Sequence, residues 1–180
     1  MKATGIVRRI DDLGRVVIPK EIRRTMRIRE GDPLEIYTSR DGEVIFKKYS
    51  LLGGVEEFAG ELCETMSRST GCMCAVTDRD TIIAVAGGSK RELLGKRISQ
   101  ELEQIMDSRR IYQHSGSGAS VPVVEGGDKL CCCVAAPILA EGDLLGLVLF
   151  VSPDPAAVTG DAEYKLAQTI AAFLGRHMES

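Results

Sequence analysis

The chain has 180 residues, with 23 Lys and Arg against 26 Asp and Glu, and its 44% hydrophobic and 27% charged content excludes a disordered or collagen-like polymer. No apolar run approaches the roughly 18 residues of a membrane span, and residues 1–9 lack the apolar stretch of a secretory signal, so a cytoplasmic location is expected. The net charge of −3 conceals an asymmetry: residues 1–50 hold 12 basic and 8 acidic side chains, the other 130 hold 11 and 18, and this predicts two domains, 1–50 and 55–180, with a linker at 51–54.

In chain order, residues 3–10 are a β-rich run and Asp11-Asp12-Leu13-Gly14 is a turn. Residues 15–18 read as a second short strand. Pro19 then suits the first position of a short helix ending near Arg27, because its fixed φ is helical and its missing N–H costs nothing there. Glu30-Gly31-Asp32-Pro33 stops the helix. Residues 34–38 and 43–48 follow as strands joined by Arg40-Asp41-Gly42, an Asp-Gly hairpin signal. Fifty residues in this order bury little surface, which favours an obligate dimer.

Beyond residue 54, Val55, Phe58, Ala59, Leu62 and Met66 form an amphipathic helical stripe. Residues 72–77 and 81–86 read as paired strands, 102–106 as helix and 115–118 as loop. Residues 130–139 and 144–151 form a second apolar strand pair around Glu141-Gly142-Asp143. A closing helix over 161–178 carries Leu166, Ala167, Ile170, Ala171, Leu174 and Met178 on one face. The second region is thus expected to be one α/β domain.

The short helix carries the most informative pattern. Lys20, Arg23, Arg24 and Arg27 stand at i, i+3, i+4 and i+7, while Ile22 and Met26 fall on the opposite side, so a cationic edge faces away from a buried one. Residues 1–29 hold Lys2, Arg8, Arg9, Arg15, Lys20, Arg23, Arg24, Arg27 and Arg29 against only Asp11, Asp12 and Glu21. Seven of those nine cations are Arg, whose planar fork offers paired donors to phosphates and guanine edges. Residues 1–36 contain no Phe, Tyr or Trp for stacking on unpaired bases, so duplex DNA fits better than a single strand.

The stretch from Thr4 to Arg24, in which Gly14-Arg15-Val16-Val17-Ile18-Pro19 is followed by a short basic helix, with Gly31-Asp32-Pro33-Leu34-Glu35-Ile36 and Asp41-Gly42-Glu43-Val44 further on, resembles the swapped-hairpin DNA-binding domain of the AbrB family of bacterial regulators. Past residue 55, Ala136-Pro137-Ile138 and Leu145-Gly146-Leu147-Val148-Leu149 resemble the closing strands of a GAF-type sensory domain. The implied fold is α+β: an interlocked swapped-hairpin β-barrel dimer with a short helix, then a GAF-like domain. Arg8, Arg15, Arg23 and Arg24 carry over by motif as DNA contacts, while Lys2, Arg9, Lys20 and Arg27 are added from local charge and the helical stripe. Within that family, two-domain sporulation regulators are the nearest likeness. The resemblance implies a homo-oligomeric activator and repressor acting late in the forespore, a tetramer through the GAF-like domains, and an unnamed ligand.

Neither a catalytic group nor a metal or cofactor is expected. Six cysteines, Cys63, Cys72, Cys74 and the run Cys131-Cys132-Cys133, lack zinc spacing, and in a cytosolic chain of this size they read as buried thiols. Cys72 with Cys74 and Cys131 with Cys133 stand two apart, which leaves open a thiolate cluster or redox pair, and some GAF-type proteins reduce free methionine sulfoxide with cysteines. A third alternative is a purely structural oligomerisation domain without a pocket behind residues 115–120. Gly87-Gly88-Ser89-Lys90 lacks phosphate-loop spacing and reads as a flexible loop.

Overall fold

A computed structural model describes residues 4–88 and 90–179, and Lys2 therefore lies outside the described residues. The chain divides into two compact units, Met1–Tyr49 and Ser50–Ser180.

In the first unit a seven-residue helix, α1 (Lys20–Met26), precedes an antiparallel hairpin of β1 (Leu34–Thr38) and β2 (Val44–Lys48), which pair in register from Leu34 opposite Lys48 to Thr38 opposite Val44. Pro19 stands one place earlier than expected, as the N-cap with ψ 148°, so the helix starts at Lys20. The strands expected over residues 3–10 and 15–18 are not formed among the described residues: residues 4–10 and 15–18 carry no ladder, and the backbone bonds of this stretch close the turn between them. Strand propensity needs a partner strand to express itself, and the chain offers these segments none among its described residues.

The same shortage governs burial. Met26, expected on a buried edge, is 51% exposed, Ile22 is half-buried, and Pro19 is the one buried residue among those described in this unit. Val7, Ile10, Leu13, Val17, Ile36 and Val44 are exposed as well.

The second unit is built on a five-stranded antiparallel sheet in the order β4-β3-β7-β6-β5. Its strands are β3 (Met73–Thr77), β4 (Ile82–Ala86), β5 (Tyr112–Gln113), β6 (Cys131–Ala140) and β7 (Asp143–Ser152). On one face lie α2 (Glu56–Thr70) and α5 (Asp161–Met178), over a core that includes Leu52, Cys63, Met66, Cys74, Ile138, Phe150 and Leu174. The other face is covered by α3 (Lys90–Leu93), α4 (Gln100–Ser108) and the loop carrying Val123, around Ile82, Leu93, Ile98, Leu102 and Met106. Residues 51–54 are turns, and Leu52 within them is 1% exposed.

The central strands read as near-continuous apolar runs because helices cover both faces. Helix and sheet approach closely at Gly175, where a Cβ would lie 2.0 Å from the Leu139 carbonyl oxygen. A register shift between Cys132 and Val134 puts Cys132 in one core and Cys133 with Val134 in the other. The bulge adds a residue to one side, so the adjacent Cys133 and Val134 face the same core.

Candidate nucleic-acid interface

The turn at residues 11–14 is organised by one carboxylate. Asp11 Oδ1 accepts the backbone N–H of Leu13 at 3.0 Å and of Arg15 at 2.8 Å, and Oδ2 accepts Arg15 Nε–H at 2.8 Å. Two backbone bonds of 3.0 Å, Asp11 N–H to Arg15 O and Gly14 N–H to Asp11 O, close the loop, with Gly14 at φ 76° in the left-handed region that glycine tolerates. The Arg15 backbone N–H, and after it the Arg15 guanidinium, hold the Asp11 carboxyl below its ordinary value. An ionised Asp11 thus aims Arg15 while its terminal nitrogens remain for a phosphate or a base edge. Arg8 and Arg9 are exposed on the segment leading into the turn.

On α1, Lys20, Arg23 and Arg24 are exposed, with Glu21 the one acid in the helix. Arg27 caps its C-terminus at φ 51°, ψ 40°. Ile28 N–H reaches Arg23 O at 2.7 Å and Arg27 N–H reaches Arg24 O at 3.3 Å, a left-handed cap that usually employs glycine. Lys48 Nζ donates to Arg27 O at 2.9 Å and stands 3.7 Å from Asp32, whose side chain is 3% exposed and accepts Arg29 N–H at 2.8 Å. This knot ties the helix end to β2. Asp11, Asp32 and Lys48 position the cationic surface without appearing among the residues expected from sequence. Asp32 has a readable signal, an acid three places after the backbone N–H it accepts, whereas Lys48 acts from 21 residues away.

In the second unit the thiols are free, and five of the six are buried. Burial pushes the Cys63 thiol up to about 12 and Cys133 up to about 11, and raises Cys74 and Cys132 further above the thiol range. Among the described residues no group of three or more His, Cys, Asp or Glu is arranged to hold a metal ion. His114 is 5% exposed, with Nδ1 3.1 Å from the Tyr112 hydroxyl. None of the described helices is long and apolar enough to cross a membrane.

The family model described as stage V sporulation protein T C-terminal, transcription factor, matches residues 54–179. Stage V sporulation protein T of Bacillus subtilis (strain 168) is 52% identical over 180 residues, covering 99% of both chains. The chain belongs to the stage V sporulation protein T family. Residues 7–50 also match the family described as antidote-toxin recognition MazE, bacterial antitoxin. The transition state regulatory protein AbrB of the same organism is 63% identical over 49 residues, 27% of this chain and 50% of that one.

The GAF domain of a phosphoenolpyruvate-protein phosphotransferase from Coxiella burnetii, 13% identical, covers 69% of this chain and 82% of its own at a TM-score of 0.54, which gives the fold of the second unit. This member of the stage V sporulation protein T family is therefore a transcription factor with an AbrB-like DNA-binding domain followed by a GAF-like domain, an α+β architecture.

Proposed function

We propose that the protein is a cytoplasmic, homo-oligomeric regulator that binds duplex DNA through Arg8, Arg15, Arg23 and Arg24, assisted by Lys2, Arg9, Lys20 and Arg27. Two chains exchange hairpins so that residues 3–10 and 15–18 become strands in a shared barrel, and pairing of the GAF-like domains through α2 and α5 makes a tetramer. Residues 1–50 and 55–180 act as separate modules joined at 51–54, the second sensing a small ligand. The protein activates and represses genes late in sporulation, in the forespore, and performs no chemistry on a substrate.

The observation that carries this reading is the first unit's exposure of Val7, Ile10, Leu13, Val17, Ile36 and Val44 beside its cations. Each such side chain gains about 1.5–3 kcal/mol on full burial, so a second copy supplies what one chain lacks. Cations with few carboxylate neighbours then gather on the assembled surface. The buried, protonated thiols support a non-catalytic second unit, since nucleophilic cysteines need a lowered pKa and access.

The test is duplex affinity against salt, with mass by analytical ultracentrifugation. Neutralising about six to ten phosphates lowers affinity roughly 10³- to 10⁵-fold between about 50 and 200 mM salt. Salt-independent binding, or a monomer that binds fully, refutes the reading.

A further inference from the structure

On the face of the sheet covered by α3 and α4, the interior is filled by the protein's own side chains. Leu93, Ile98, Leu102 and Val123 are each 0% exposed and Met106 is 1% exposed. At the rim of this side a depression of about 380 Å³ opens between two walls. Arg91, Glu92 and Lys96 form one wall, Gly126, Gly127, Asp128 and Lys129 the other, and Val124 and Leu130 add apolar surface between the polar groups.

Both walls are pinned to the fold. Ile82 N–H donates to Lys96 O at 3.0 Å and Gly95 N–H to Ile82 O at 2.8 Å, which fastens the first wall to β4. Glu125 N–H reaches Arg97 O at 3.0 Å and Val123 N–H reaches Leu130 O at 3.0 Å, fastening the second, and a turn closed by Gly127 N–H to Val124 O at 3.0 Å brings Gly126 to the surface at φ 68°. The depression is therefore a fixed shape with a volume in the range of small-molecule sites.

Its charge selects the ligand. Arg91 and Lys96 have no carboxylate partner among the described residues, and Lys129 is only loosely engaged, with Nζ 3.8 Å from Glu92 Oε1 and both side chains exposed. Three cations face two carboxylates, Glu92 and Asp128. A singly charged ligand gains little against those two acids. A phosphate group, with nearly two charges and three acceptor oxygens, meets the Arg fork and both ammonium groups together. Val124 and Leu130 leave apolar surface for the body that carries the phosphate.

We propose that this rim depression binds a small phosphate-bearing metabolite through Arg91, Lys96 and Lys129. The site rests on the reading of the second unit as a sensor and names the chemistry it senses.

Inorganic pyrophosphate is the probe, applied to the full-length oligomer, with hydrogen exchange followed by mass spectrometry. Two double variants accompany the unsubstituted protein: Arg91→Ala with Lys96→Ala at the depression, and Arg23→Ala with Arg24→Ala on the DNA-binding unit. All four side chains are exposed, so folding is expected to survive, and circular dichroism checks it.

The site predicts slowed exchange over residues 91–98 and 123–130, retained in the Arg23/Arg24 variant and weakened at least tenfold in apparent affinity in the Arg91/Lys96 variant. Protection confined to residues 4–29, equal protection in the Arg91/Lys96 variant, or none at all overturns it. Duplex affinity measured with and without pyrophosphate separates the two readings. Protection at the depression with DNA affinity unmoved relative to the Arg91/Lys96 variant upholds the site and refutes the sensor. Loss of protection with DNA binding intact refutes the site alone.

Discussion

Arg27 is the residue at which structure and function pull apart, and Arg27→Gly separates them. At φ 51° and ψ 40° its backbone sits in the left-handed region, where a side chain costs about 1–2 kcal/mol. Glycine removes that strain but gives the unfolded chain more freedom, which takes back about 0.4–1 kcal/mol. The backbone contributions alone give a gain of about 0.5–1 kcal/mol for the C-terminal end of α1. Two bonds of the cap use no Arg27 side-chain atom, Ile28 N–H to Arg23 O and the Lys48 ammonium to Arg27 O, and both survive the change.

Amide exchange over residues 20–29 should accordingly slow about two- to fivefold in the variant. DNA affinity moves the other way, losing about 1–3 kcal/mol if the guanidinium reads a base, or lowering the salt slope by about one if it touches phosphate. Fluorescence anisotropy with a labelled duplex at several salt concentrations reads this. A variant that exchanges faster, or that binds DNA with unchanged affinity and slope, refutes the argument that a left-handed arginine is kept there for DNA.

Asp11→Asn removes the charge that aims Arg15, so it should weaken DNA binding in the same direction as Arg15→Ala but by less, as titrations of both variants will tell. Because the Asp11 carboxyl is held below the ordinary aspartate value of 3.8, its contribution to the turn is fully present above that pH and is lost as pH falls through the lowered value; amide shifts of Leu13 and Arg15 in an acid titration should follow it, and an unshifted midpoint contradicts the hydrogen-bonding account. The thiols give the opposite sign: with Cys63 raised to about 12 and Cys133 to about 11, stability is full below the unfolded thiol value and declines as pH rises above it. At pH 8 most thiols of the folded protein should react slowly with a disulfide reagent and rapidly in denaturant, and several fast thiols in the native protein would reopen a redox role. Gly175→Ala drives a methyl onto the Leu139 carbonyl and should destabilise the second unit by about 1–3 kcal/mol in urea unfolding, whereas Gly60→Ala, in open space on α2, should not.

What could be read from the sequence follows the range of the forces involved. The stripe of Leu166, Ala167, Ile170, Ala171 and Leu174 and the apolar runs around Glu141-Gly142-Asp143 were legible because one face or one run records burial locally, and α5, β6 and β7 form there. The four-residue α3 and two-residue β5 are too short to hold any period, and they exist because neighbours already in place accept them: Leu93 inserts into the core and Tyr112 pairs with Ala135.

The segments on either side of Asp11 show the opposite case. Their β-rich composition is plain, yet one chain provides no strand for them, so propensity stays unexpressed and Val7 and Val17 face outward. Composition there records an apolar surface that the single chain leaves exposed. The cationic residues were legible for a related reason, since Lys20, Arg23 and Arg24 stand exposed on one helix edge at helical spacing. The residues that hold them divide by range: Asp11 and Asp32 accept backbone N–H groups within four residues, whereas Lys48 acts only after β2 has folded back on α1, and Arg27 gives no sign in its side chain of the backbone conformation it must adopt.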